Sequence, residues 1–316
     1  MRIAVIGAGA VGSSVVELAG EYGHDVTAFA DSRSAAVDAE GLDVDAVLDR
    51  KRTDGIVGDA DPEDALSGPY DVLVEATPVT LGDAEPGMTH VEAALTRDRH
   101  VVLANKGPVA ERYGDVRELE ADSEGRVLFE ATVGGAMPVL STIADVGADH
   151  ITAVRGVLNG TVNFVLSRMA AEGLDYEHVL AEAQDLGVAE TDPSFDVEGT
   201  DTALKGVILA NVLSEDREYT LDDAEVDGIV DIPGSVLELA REDGRTVRLI
   251  VEVREGEVRV GPRLVPENAA LAPTGTYNTV QFETEHAGQL NVSGLGAGGP
   301  ETASAILADV GRLDRS

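Results

Sequence analysis

The chain opens on four consecutive apolar residues, Ile3-Ala4-Val5-Ile6, and breaks at once into glycine. A block this short, apolar at every position, fits a strand covered on both faces rather than a half-exposed one that alternates. Blocks of the same kind at 26–30, 72–75 and 101–104 predict further strands of one sheet, and 127–131 reads as another. Helical stretches are expected between them at 13–20 and 89–96. Strands alternating with helices predict an α/β fold built on a doubly wound parallel sheet.

Past residue 131 the pattern changes. Thr132 to Pro138 is a glycine-rich turn that leads into apolar positions 139–143. Gly156-Val157-Leu158 joins a helix through Asn159-Gly160-Thr161, with Thr161 as the expected cap. Asn159 and Thr161 read equally well as turn residues or as substrate contacts. Further on, Asp201 and Lys205 stand four apart on one helix face, and the same face continues through Ile208 and Val212 into core. Pro300 suits a first helical position before a helix at 302–310.

The turn after the first strand is Gly7-Ala8-Gly9-Ala10-Val11-Gly12, the G-x-G-x-x-G pattern in a strand-turn-helix setting. Gly7 permits a tight turn, Gly9 lets backbone approach a pyrophosphate, and Gly12 lets helix and strand pack closely. Gly7, Gly9, Ala10, Val11 and Gly12 are therefore expected to bind a dinucleotide. Asp31 ends the second strand nineteen residues past Gly12, where a carboxylate commonly takes the ribose hydroxyls of NAD. Arg33, Lys51 and Arg52 are cations that could instead meet a 2′-phosphate, so NAD and NADP both stay open. The strands at 72–75 and 101–104 end in Ala76-Thr77-Pro78 and Asn105-Lys106. In a doubly wound sheet these carboxyl ends border the ligand crevice, which puts Thr77 and Lys106 beside the nicotinamide half.

Composition narrows the function. Net charge is −36, with 59 acidic residues against 23 basic, which opposes nucleic acid or an anionic membrane as partner. So large an acidic excess points to a protein that works in concentrated salt, where self-repulsion is screened. There is no cysteine, which removes disulfides, thiolate metal sites and a thiohemiacetal route. The six histidines show no paired ligand spacing, so no structural zinc site is expected. No apolar run nears the ~20 residues a membrane span needs, and no leader precedes Met1-Arg2-Ile3, so a cytoplasmic protein is expected.

Only three lysines occur, and two of them, Lys106 and Lys205, lie in Ala104-Asn105-Lys106-Gly107-Pro108 and in the acidic stretch that begins at Glu190. An ammonium exchanges a proton with a reacting oxygen more readily than a guanidinium, so these two are the candidates for catalysis, with Asp201 beside Lys205. Lys51 reads as ordinary surface. Glu190, Asp192 and Asp196 crowd the loop before the helix that carries Asp201 and Lys205.

Those motifs, with Glu130 to Pro138, Asn159-Gly160-Thr161-Val162-Asn163, Ala189-Glu190-Thr191-Asp192-Pro193, Asp196 to Asp201 and Gly294 to Gly299, resemble the homoserine dehydrogenases over essentially the whole chain. The resemblance implies NAD(P)-dependent interconversion of L-aspartate 4-semialdehyde and L-homoserine, on the route to threonine, methionine and isoleucine. It implies Lys205 as proton donor with Asp201 beside it, Glu190 on the substrate ammonium with Asp196 assisting, and Lys106 sharing the proton transfer. It also implies a monovalent-cation site from the Glu130 carboxylate and the carbonyls of Val133, Gly135 and Met137, and Gly296 at the cofactor. The fold expected is a Rossmann-type domain of residues 1–133 plus 293–316, with an inserted α+β substrate and dimerisation domain at 134–292, in a homodimer. No carboxyl-terminal regulatory domain is expected. Asp98-Arg99-His100 departs from the Gly-Lys-His frequent in the family and reads as surface acidification. Two rival readings are another amino-acid dehydrogenase, such as an aspartate dehydrogenase, and a non-catalytic NAD(H) sensor. The first does not predict the pattern from Glu190 to Lys205, and the second calls for a basic recognition helix that is missing here.

Overall fold

The computed structural model describes residues 1–214 and 216–314, so the end of the expected 293–316 segment lies outside the described residues. The chain forms two compact units, Met1–Ala136 with Ala297–Ser316, and Met137–Gly296.

The first unit holds a six-stranded sheet of β1 (Arg2–Ile6), β2 (Asp25–Ala30), β3 (Ala35–Val37), β4 (Val72–Glu75), β5 (His100–Leu103) and β6 (Val127–Leu128), in the order β3-β2-β1-β4-β5-β6. β1 pairs in parallel with β2 and β4, and β5 in parallel with β4 and β6. β3 breaks the all-parallel expectation by running antiparallel to β2. Only residues 31–34 join the two strands, whereas a parallel return needs a crossover of a dozen residues or so. The strand expected at 127–131 is also shorter. β6 is an edge strand, and the Phe129 carbonyl accepts the Thr132 amide and hydroxyl at 3.0 and 2.6 Å, turning the chain into a helical turn, Ala131–Gly134.

Ile3, Val5, Val72, Val74 and Val102 of the central strands form one buried cluster with Val15 and Val16 of the helix Ala10–Leu18 and Ile306, Leu307 and Val310 of the helix Gly299–Leu313. The last helix therefore completes the core that the first helix begins. Proline at its start, Glu301 in its first turn and Arg312 in its last suit the helix dipole.

The second unit is an α+β layer on a sheet of β7 (Ile151–Val157), β8 (Ala224–Val226), β9 (Arg245–Arg254), β10 (Glu257–Pro266), β11 (Tyr277–Thr284) and β12 (Gln289–Leu295), in the order β12-β11-β7-β9-β10-β8. Its key element is the helix Thr200–Leu213, in which every residue from Asp201 to Asn211 is buried. The single inward stripe expected from the sequence is thus a helix covered on all sides. Gly206 permits this, since a Cβ there would stand 2.6 Å from Val251 on β9 and 2.9 Å from Val258 on β10. No helix among the described residues is long and apolar enough to cross a membrane.

Candidate active site

The strand order of the first unit reverses between β1 and β4, the position where doubly wound sheets bind ligands. Gly7 has φ +112°, and a Cβ there would lie 2.3 Å from the Ala76 carbonyl oxygen, so this turn accepts only glycine. At Gly12 a Cβ would lie 1.8 Å from the Gly7 oxygen. Gly9 is different: nothing stands within 4 Å of where its Cβ would be. It caps the helix Ala10–Leu18 without a side chain, leaving an open approach to the first amides of the helix. This arrangement suits a pyrophosphate, and Ala10 and Val11 begin the helix that would meet it.

Asp31 is mostly covered. Its Oδ1 accepts the amides of Arg33 and Ser34 at 2.7 and 2.9 Å, and its Oδ2 accepts from Lys51 Nζ at 2.6 Å. Burial pushes this carboxyl up, but the Lys51 ammonium and the two amides outweigh burial and hold it below the usual carboxylate range. Lys51 is accordingly no ordinary surface residue; it forms a fixed pair with the carboxylate at the tip of β2.

Thr77 belongs to a network that its own neighbourhood in sequence does not reveal. Glu75, fully buried at the end of β4, accepts the Thr77 hydroxyl, the Thr77 amide at 3.3 Å and His90 Nδ1 at 3.3 Å. Asn105, also buried, donates to Thr77 Oγ1 at 3.2 Å and the Pro78 carbonyl at 3.3 Å while accepting the Gly107 amide at 2.9 Å. The turns after β4 and β5 are locked together, and Lys106 follows directly as the half-buried cap residue of Gly107–Glu111.

Glu130 is buried and stands at the start of Ala131–Gly134. Its amide donates to Asp309 Oδ2 at 2.9 Å, and its carboxylate lies 3.7 Å from Arg312 Nη1. Asp309 is pushed up to about 6, first by burial and then by the Glu130 charge, against the lowering effect of the Glu130 amide and Arg312. Two buried carboxyls lie beside one guanidinium here. Val133 lies in the same turn and Gly135 ends it with φ +57°. Met137 opens the second unit, and its carbonyl already accepts the Val139 amide at 2.9 Å, which leaves a second lone pair.

In the second unit four side chains converge. Lys205 Nζ, buried, donates to the Leu158 carbonyl at 2.6 Å and to Asp201 Oδ2 at 2.7 Å. Asn159 Nδ2 donates to Asp201 Oδ2 at 3.0 Å and to Asp196 Oδ1 at 2.7 Å. Its Oδ1 accepts the Val162 amide at 2.9 Å, so Asn159 is the cap of the helix Gly160–Glu172. Thr161, expected as the cap, is instead the second residue of the helix; its hydroxyl donates to the Val188 carbonyl at 2.9 Å. Burial, then the neighbouring Asp201 charge, push the Asp196 carboxyl up. Glu190 is exposed in the preceding loop, and among the described residues nothing bonds to its carboxylate. Asp192 closes a local turn by accepting the Ser194 amide and hydroxyl at 3.1 and 2.7 Å. At Gly296 the missing side chain is explained inside this unit, because a Cβ would lie 1.7 Å from Asn278 Nδ2.

A doubly wound sheet with this glycine turn, and in the second unit a buried ammonium held by a carboxylate, are features of an NAD(P)-dependent oxidoreductase. Comparison with known proteins narrows the class. The family model for homoserine dehydrogenase matches residues 138–310, and that for glutamate/leucine/phenylalanine/valine dehydrogenase matches residues 1–80. The homoserine dehydrogenase of Methanocaldococcus jannaschii is 40% identical, over 98% of this chain and 97% of its own. The crystal structure of a candidate homoserine dehydrogenase from Archaeoglobus fulgidus is 40% identical with a TM-score of 0.90, over 99% of both chains. A hyperthermophilic archaeal homoserine dehydrogenase in complex with NADPH is 25% identical with a TM-score of 0.85, over 99% of this chain and 97% of its own. The chain belongs to the homoserine dehydrogenase family.

Proposed function

We propose that the protein interconverts L-aspartate 4-semialdehyde and L-homoserine with Lys205 as the proton donor and acceptor. The observation that carries this reading is the buried couple of Lys205 and Asp201 at the head of a covered helix. An ammonium in that setting is expensive to bury unless a carboxylate stays beside it, and Asp201 stands beside it and directs it. The dinucleotide, when bound, supplies or removes the hydride at the carbonyl carbon. In the reducing direction the oxygen of that carbonyl gains negative charge, and Lys205 hands it a proton. Asn159 positions Asp201 and Asp196 at the same time. The exposed Glu190 carboxylate takes the substrate ammonium, with Asp196 assisting, and Lys106 shares in proton transfer.

Gly7, Gly9, Ala10, Val11 and Gly12 would hold the pyrophosphate, Thr77 and Lys106 the nicotinamide half, and Gly296 would also approach the cofactor. Asp31 and its partner Lys51 place a carboxylate and an ammonium where the ribose edge of either NAD or NADP would arrive. Glu130, with the carbonyls of Val133, Gly135 and Met137, is the proposed cradle of Na or K. The unit Met137–Gly296 is the proposed dimerisation domain; among the described residues all the large exposed apolar side chains except Tyr22 and Leu81 belong to it, Leu239, Leu186 and Tyr277 foremost. A salt-adapted, cytoplasmic homodimer accounts for these surfaces and for the acidic excess.

The test is oxidation of L-homoserine, with NADH and NADPH formation followed separately across KCl and NaCl. Lys205→Ala should lower kcat by about 10²- to 10⁴-fold while cofactor binding persists. Retained turnover in Lys205→Ala, with loss in Lys106→Ala, would move the proton transfer to Lys106.

A further inference from the structure

Histidines that share no spacing in the sequence come together at one end of the second sheet. His150 ends the short turn before β7, and Glu285 and His286 lie in the tight turn between β11 and β12. The backbone fixes this arrangement. The Glu285 amide donates to the His150 carbonyl at 3.0 Å, the Thr284 amide and hydroxyl donate to the Gly288 carbonyl at 3.0 and 2.9 Å, and the Ala287 amide donates to Thr284 Oγ1 at 2.9 Å. On this frame a donor atom of His150, one of His286 and a carboxylate oxygen of Glu285 all lie within 4.8 Å of one another.

The distances leave room for an ion in the cluster. A charge-assisted hydrogen bond between imidazolium and carboxylate closes to about 2.7–2.9 Å. Here His150 Nδ1 and His286 Nε2 face the same oxygen, Glu285 Oε2, at 3.4 and 3.6 Å. Two ligands of a tetrahedral zinc ion, each ~2.0–2.1 Å from the metal, are separated by roughly 3.4 Å. His150 Nδ1 makes a long hydrogen bond to Glu285 Oε2, and the separation of both imidazoles from that one oxygen also matches that of ligands around a common ion. Two imidazoles and one carboxylate form a borderline donor set that suits zinc-like divalent ions over Na, K, Mg or Ca. We propose that His150, Glu285 and His286 form a surface site for a zinc-type divalent cation, with water as the fourth ligand. The three side chains are exposed, so the ion exchanges with solvent, and the site is separate from the residues assigned to homoserine chemistry.

The test titrates Zn²⁺ into chelator-treated full-length protein by calorimetry in molar KCl, which screens diffuse binding to the acidic surface. His150→Ala and His286→Ala are compared with His178→Ala, which removes an exposed histidine elsewhere. Melting temperatures in the presence of chelator check that all three variants fold. The expected result is one Zn²⁺ per chain, weakened roughly tenfold or more in the first two variants and unchanged in the third. Zn²⁺ binding that is absent from the parent protein, or is the same in all three variants, overturns the proposal.

Discussion

Asn159 offers the sharpest test of how the second-unit cluster is held. It makes three hydrogen bonds: it accepts from the Val162 amide as a helix cap and donates to Asp196 and to Asp201. Replacement of a capping side chain by alanine costs about 1 kcal/mol. Each hydrogen bond to a charged partner contributes about 1.5–3 kcal/mol, and part of this is recovered where water reaches the half-buried Asp196. Asn159→Ala should therefore lose at least about 3 kcal/mol, or about 6–12 °C in Tm if the second unit melts by itself. Asn159→Asp separates the two roles. It keeps the cap acceptor but turns the donor into a third carboxylate against Asp196 and Asp201, a repulsion of several kcal/mol even at an effective dielectric near 20. At pH 8 the aspartate variant should be less stable than the alanine variant, and the gap should close on acidification as the cluster takes up a proton. Urea unfolding at constant high salt, at several pH values, reads both. If Asn159→Asp is the more stable at pH 8, or Asn159→Ala stays within about 0.5 kcal/mol of the parent, the bridging role is refuted.

Gly9→Ala and Gly7→Ala should part company: the first leaves Tm unchanged and raises the cofactor KM about tenfold or more, whereas the second loses about 2 kcal/mol or more of stability. Thermal melts and cofactor titration together check this, and equal stability losses would sink it. Asp309 rises from an ordinary 3.8 to about 6 in the fold, so the native state keeps a proton that the unfolded chain sheds. Stability is full below about pH 4 and falls as pH climbs through about 6, by up to about 3 kcal/mol. Asp309→Asn should gain on the parent over that window, and a stability difference that does not move with pH would contradict the burial argument. With a net charge of −36, Tm should climb steeply with KCl, and an equal response to sucrose would show that charge screening is not the cause.

What the sequence revealed is local in origin. Glycine at 7, 9 and 12 forms one short motif, with Gly12 crowded by the Gly7 oxygen and Gly9 left open, and the pairing of Asp201 with Lys205 follows from helix geometry. The remainder depends on distant chain. The Leu158 carbonyl and Asn159, which hold Lys205 and Asp201, lie 47 and 42 residues away from them. Lys51 reaches Asp31 across 20 residues, which is why it reads as surface. Glu75 looks like the end of an apolar strand; that its carboxylate is buried against Thr77 and His90 becomes visible only once β4 is central in the sheet. Asn159 did carry a signal, an asparagine just before Gly160-Thr161 where a cap is needed. The direction of β3 was also legible in principle, from the brevity of residues 31–34.

The packing of the helix Gly299–Leu313 onto Ala10–Leu18 has a consequence for synthesis. The ribosome releases every residue of Met137–Gly296 before it releases the helix that finishes the core begun at Ile3. At about 5–20 residues per second the inserted unit takes about 8–32 s to be made, and throughout that time the first unit still exposes Val15, Val16 and the flank of its sheet. A chain truncated after Gly296 and released should thus carry a protease-resistant second unit tethered to an open first one, and chaperones would find their apolar target in the part made first.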